Sequence, residues 1–157
     1  MLGIDFIPLI KQLSYFGFFL VGLISSSTLF IPFPIYSILI FSGSMGLNPI
    51  IAAIFTAAGS TLGEVIGFLV GRGSSNIFLK KEGKKYKKYV NFFKKFGGIA
   101  IFLFAALPLP FDIIGIISGF LKYDMKKFLL FTFLGKLIKM LTIVAFGEIV
   151  LHYILEW

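Results

Sequence analysis

A chain of 157 residues that is 58% hydrophobic and only 14% charged, with a mean hydropathy of +0.99, cannot surround an apolar core with a water-compatible surface. Its net charge of +8 is concentrated, because residues 80–95 hold eight lysines and one glutamate. Cysteine is absent, and the single His152 lacks the partners that a zinc site or a catalytic triad requires, so disulfides and those chemistries are excluded.

In chain order, residues 1–13 carry Asp5, Pro8 and Lys11 without a basic stretch leading to a small-residue cleavage site. They read as a short interfacial segment rather than a signal peptide. Residues 14–31 form an apolar arm that ends at Pro32-Phe33-Pro34, and residues 35–45 a second arm that ends near Ser42-Gly43. Asn48, a good helix N-cap, opens the long apolar run 49–70, which closes at Gly71-Arg72. The lysine segment follows, about 76–95, with Tyr86, Tyr89, Val90 and Phe93 at helical spacing, as in a basic amphipathic helix lying on a membrane surface. A patch of this kind between membrane segments is explained by anionic lipid heads and by topology, and nucleic acid is not expected as a partner. Residues 96–107 make another apolar arm ending at Pro108-Leu109-Pro110, and residues 111–121 return to Ser118-Gly119 and beyond. Asp124 then precedes the last run, 128–155.

Shifted by 76 positions, the chain matches itself without a gap from residue 16 to residue 72 of the first copy. Pro32 and Pro34 fall on Pro108 and Pro110, Ser42 and Gly43 on Ser118 and Gly119, and Gly59 and Gly71 on Gly135 and Gly147. Thr56 falls on Thr132, Gly22 on Gly98 and Asn48 on Asp124. Glycine and proline dictate backbone geometry, so the two copies share a backbone plan. Arms of 12 and 11 residues reach about 18 and 17 Å, too short for a hydrocarbon core of ~30 Å, whereas the third runs reach about 33 and 42 Å. The arm 14–31, at about 27 Å, is the one whose length leaves a full crossing open. Lysines bracket the second hairpin on both sides, Lys94 and Lys95 before it and Lys122, Lys126 and Lys127 after it, which places both its ends in the cytoplasm. The first hairpin then opens outward, as does the C-terminus.

The expected fold is an all-α polytopic membrane protein of the cell membrane, one domain over residues 1–157. It consists of two inverted repeats, about 14–72 and 92–148, each a re-entrant broken-helix hairpin followed by a transmembrane helix. The stretch Ala106-Leu107-Pro108-Leu109-Pro110-Phe111-Asp112, with Ser118-Gly119 and Lys126-Lys127-Phe128 after it, resembles the DedA family, also called the SNARE-associated or VTT domain, in its short YqaA-like branch. Gly63-Glu64 and Gly71-Arg72-Gly73 are similar to the family's Gly-acid and Gly-Arg pattern, and the likeness runs from about residue 30 to 147. The resemblance implies two re-entrant hairpins meeting from opposite leaflets. It also implies a link to flipping of polyprenyl-phosphate carriers, phospholipid scrambling or proton-dependent drug and ion tolerance. This chain departs from the bacterial pattern in having no acid in residues 28–36, where Tyr36 stands at the repeat position of Asp112.

Five residues are candidates for a substrate or ion pathway: Asp112, Glu64, Lys136, Lys139 and Arg72. Asp112, just past a hairpin tip, is read either as a proton, cation or head-group-amine site or as a cap of the returning arm. Glu64 lies at the edge of a stripe formed by Gly59, Gly63, Gly67 and Gly71, whose role is close helix packing, and an ion pair with Arg72 two turns away is the plain structural reading. Lys136 and Lys139 lie inside the last helix, to be paired with Asp112 or Glu64, to meet a phosphate, or to snorkel. No cofactor and no metal are implied, no nucleophile–base pair or nucleotide motif points to an enzyme, and Glu148 reads as a helix-end charge. The reading is a small carrier that flips or scrambles lipids through their phosphate head groups, with membrane lipids, anionic ones in particular, as partners and a homo-oligomer left open. The alternatives are a proton- or cation-coupled exporter of small solutes and a non-transporting membrane organiser.

Overall fold

The computed structural model describes residues 6–27, 35–78 and 83–155, so the first hairpin tip with Pro32 and Pro34, the centre of the lysine segment at 79–82, and Trp157 lie outside the described residues. Seven helices follow in order: α1 (Phe6–Ser27), α2 (Ile35–Ile40), α3 (Pro49–Gly63), α4 (Val65–Phe78), α5 (Gly83–Ala106), α6 (Phe111–Phe120) and α7 (Met125–Leu155). Three stretches are long and apolar enough to cross a membrane, Pro49–Ser75, Lys87–Ala106 and Met125–Gly147. Leu20, Ile54, Leu69, Ile99, Leu130 and Phe146 are exposed, as an all-helical protein solvated by lipid requires. The chain is an all-α, polytopic membrane protein.

The duplicated backbone plan recurs at the level of single hydrogen bonds. After α6 the Tyr123 N–H donates to the Ser118 carbonyl and Lys122 N–H to that of Gly119, both at 2.9 Å. Seventy-six residues earlier, Leu47 N–H donates to Ser42 and Gly46 N–H to Gly43, at 3.2 and 2.9 Å. Both turns are the two-bond helix end with a left-handed residue at its corner, Gly46 at φ 71° and Lys122 at φ 54°. The next helix starts alike in both copies: Asn48 Oδ1 accepts from the Ile50 and Ile51 N–H groups, and Asp124 Oδ1 from Lys127 N–H.

The long helices pack pairwise, α1 on α3, α5 on α7 and α4 on α6. Glycines decide how closely. A Cβ on Gly59 would strike the Phe19 carbonyl, and one on Gly63 would lie 2.6 Å from that of Leu23. A Cβ on Gly71 would strike the Ile116 carbonyl, and one on Gly119 that of Phe68. The glycine stripe thus serves two partners, α1 with its first half and α6 with its second. Gly67 is the exception, with Ile116 Cγ1 at 3.8 Å from a Cβ built there, an ordinary contact. The contacts are reciprocal between copies: Gly71 abuts Ile116, and their repeat equivalents Gly147 and Ile40 abut each other.

Each hairpin is closed at its mouth. Tyr15 Oη accepts from Asn48 N–H at 2.8 Å, and the Phe93 ring meets Tyr123 edge-on with centroids 5.5 Å apart. From Phe93 to the end of α5 is about 20 Å, and α6 returns over about 15 Å. The first mouth lies at the start of α3. The second lies beside the first half of α4, where Gly119 sits against Phe68 and Arg72. The two mouths therefore lie on opposite sides of Glu64 along α3–α4.

Four expected boundaries differ. The basic segment is not a separate helix: α5 runs unbroken from Gly83 to Ala106, because lysine is a good helix former and no proline or cap interrupts before Pro108. The arm expected at 96–107 is thus the inner half of a longer helix. The interfacial segment 1–13 gives way at Phe6, where α1 already begins, so α1 has 22 residues. The run 49–70 extends to Phe78 and is divided at Glu64 into α3 and α4. The last run begins at Met125, three residues ahead of expectation, on the Asp124 cap.

Candidate functional site

Two apolar clusters fill the interior. One gathers Phe18, Leu39, Ala53, Ala57, Met140 and Val144; the other gathers Phe68, Ile101, Ala105, Phe111, Ile114 and Phe128. On α3–α4 the gap between them falls at Ser60 and Glu64, and on α7 at Lys136. Both charged side chains are buried there.

Lys136 uses all three of its N–H donors. Nζ donates to Glu64 Oε1 at 2.6 Å, to Ser26 Oγ at 3.0 Å and to the Ser60 carbonyl at 3.1 Å. The Phe111 ring lies 5.4 Å from Nζ and adds a cation–π contact from α6. One ammonium therefore ties α7 to α1, α3 and α6. The helix is only loosened here, since the Ser60 carbonyl is shared between Lys136 and Glu64 N–H, whose bond is 3.3 Å, while Glu64 keeps helical backbone angles. A side chain inserted into the i, i−4 ladder loosens a helix at that point.

Two more charges flank the pair. Asp112, half-buried in the first turn of α6, lies within electrostatic reach of Lys136 and Glu64. Lys139, half-buried one turn beyond Lys136, is within reach of Glu64 and Lys136. Lys139 makes no ion pair or hydrogen bond among the described residues. Tyr36 of α2 lies within electrostatic reach of Glu64. Two acids and two lysines thus converge near mid-molecule, with the buried pair between Asp112 and Lys139.

The structure brings together four of the five candidates. Arg72 is the correction: it is exposed at the end of the molecule, its guanidinium 5.9 Å over the Phe68 ring, about 12 Å along the helix from Glu64. The ion-pair partner of Glu64 is Lys136, not Arg72. Pro110 holds the cap position of α6 without any side-chain bond, and Asp112 stands two residues on, its carboxylate accepting from its own backbone N–H. Lys136 does not snorkel. Ser26 and Phe111 went unrecognised from sequence, since a serine and a phenylalanine in apolar runs give no signal of a distant lysine. Among the described residues no group of three His, Cys, Asp or Glu side chains could hold a metal ion.

A helical, polytopic membrane protein with a buried lysine–glutamate pair between its long helices is the class that this geometry defines. The VTT domain family model matches residues 31–149, and the chain belongs to that family, the DedA family. It is similar to an uncharacterized protein of Methanocaldococcus jannaschii, 26% identical over 94% of this chain and 89% of that one. The uncharacterized membrane protein YkoX of Bacillus subtilis is 31% identical over 87% of this chain and 64% of its own length. A Lactococcus lactis relative titled an alkaline phosphatase-like protein is 31% identical over 88% of this chain and 73% of its own. No solved structure matches.

Proposed function

We propose that this chain is a membrane carrier that moves a phosphate-bearing lipid head group between leaflets, along the interface of its two hairpins. Membership in a membrane family with a transporter-like role supports the coarse statement. The finer one rests on a single observation, the half-buried Lys139 with no acid paired to it among the described residues. An ammonium at that depth calls for an anion, and a phosphate entering between the hairpins supplies one. Lys136 holds the walls together rather than binding substrate directly, because its donors are already used. Hairpin mouths on opposite sides of Glu64 along α3–α4 suit a path from one face to the other, with the lysine-rich mouth in the cytoplasm. Arg72 then stands at the cytoplasmic mouth as a first contact for the head group.

A proton- or cation-coupled exporter is the second reading, favoured by Asp112, a half-buried acid facing the ion pair. The two separate in reconstituted vesicles. The lipid carrier loses lipid movement with Lys139→Gln and keeps most of it with Asp112→Asn. The exporter shows the opposite order and responds to a pH gradient.

A further inference from the structure

Helix α5 does not stop at the mouth of its hairpin. Beyond Phe93, where Tyr123 closes the mouth, ten further residues project for about 15 Å. Along the helix, exposed Tyr89, Phe92, Phe96, Ile99 and Leu103 recur at spacings of three and four and make one straight stripe. Its inner half, Ile99 and Leu103, lies on the hairpin's outward surface. Its outer half keeps Tyr89 and Phe92 63% and 64% exposed beyond the mouth.

The same outer half carries exposed Lys87, Lys88, Lys94 and Lys95. Lys88 and Lys95 fall about 60–80° to one side of the stripe's centre and Lys87 and Lys94 about 160–180° from it, so the lysines ring the helix, and Lys95 Nζ stands 5.3 Å from the Phe96 ring. Exposed Arg72, Lys126 and Lys127 belong to the same end of the molecule. Rings of this size are poorly placed in bulk water and four ammonium groups are excluded from hydrocarbon. The lipid head-group layer is the medium that accommodates both, and an anionic one compensates the charge. A second copy of the chain fits the stripe badly, since lysines flanking each copy would face one another.

We propose that the projecting half of α5, residues 83–95, lies in the head-group layer and binds anionic phospholipid. Tyr89 and Phe92 are seated at the acyl boundary and the four lysines contact phosphate. This surface is separate from the Lys136–Glu64 site and stands whether or not the chain carries lipids.

The cysteine-free sequence allows the test in the full chain. A polarity-sensitive dye at Tyr89→Cys or Phe92→Cys is read in nanodiscs of phosphatidylcholine with and without phosphatidylglycerol, with Leu103→Cys as a hydrocarbon reference. The dye at 89 and 92 is expected to report the acyl boundary in discs containing phosphatidylglycerol. Native mass spectrometry should show phosphatidylglycerol retained over phosphatidylcholine, and each Lys→Gln change among the four should cut that preference about fivefold. Raising salt should weaken the preference in the unaltered chain. A dye in water at 89 and 92 while Leu103 reads hydrocarbon would overturn the proposal. So would phosphatidylglycerol retention unchanged in the quadruple glutamine variant, or efficient crosslinking of position 89 between copies.

Discussion

Lys136 and Ser60 occupy the same position in the two copies of the repeat, and they touch: Lys136 Nζ donates to the Ser60 carbonyl at 3.1 Å. At these equivalent positions the two copies of the sequence have diverged. Ser60 answers Lys136, Met140 answers Glu64, and Tyr36 answers Asp112. The charges belong to one copy each.

The pair should behave as a coupled buried unit. Glu64→Gln or Lys136→Met alone leaves an uncompensated buried charge and should cost about 3–5 kcal/mol, whereas Glu64→Met with Lys136→Met should recover much of that loss. Thermal unfolding in detergent of the two single variants and the double variant measures the coupling. Additive losses would show that the two side chains do not depend on each other.

Close packing makes an ordered set of glycine variants. Gly71→Ala and Gly119→Ala each place a methyl group on a carbonyl of the facing helix, and α4 and α6 must separate. Overpacking of this kind costs about 1–3 kcal/mol. Gly67→Ala meets only Ile116 at an ordinary distance and should be neutral or slightly stabilising through helix propensity. Equal losses at 67 and 71, read as melting temperature and yield of monodisperse protein, would contradict this packing.

The two left-handed corners give a matched pair. Gly46 has open space around its Cα, so Gly46→Ala should cost about 1 kcal/mol from backbone conformation alone. Lys122 holds φ 54° with a side chain, so Lys122→Gly should gain a comparable amount. Opposite signs in the melting shifts are the expected result.

Proline and glycine made most of the backbone legible from sequence. The match between Ser42-Gly43 and Ser118-Gly119 anticipated the two like turns, because those residues act locally. The extent of α5 was hidden: lysines marked a change of environment at residue 95, and a helix can cross such a change without breaking. The site was half legible. An acid or a lysine in an apolar run announces itself by its desolvation cost, which marked Glu64, Asp112, Lys136 and Lys139. Their pairing was not legible, since it depends on which faces of α3 and α7 meet, and Glu64 had a nearer partner along its own helix in Arg72.

Lys139 carries the functional claim, and lipid movement in vesicles reconstituted with Lys139→Gln tests it most directly. The side chain is half-exposed and without an ion-pair partner among the described residues, so the variant should melt like the parent. Losing a charge-assisted contact to phosphate should slow the movement of a labelled anionic lipid about tenfold or more, and Lys139→Arg should restore most of the rate. An unchanged rate in Lys139→Gln at parental stability would contradict the account.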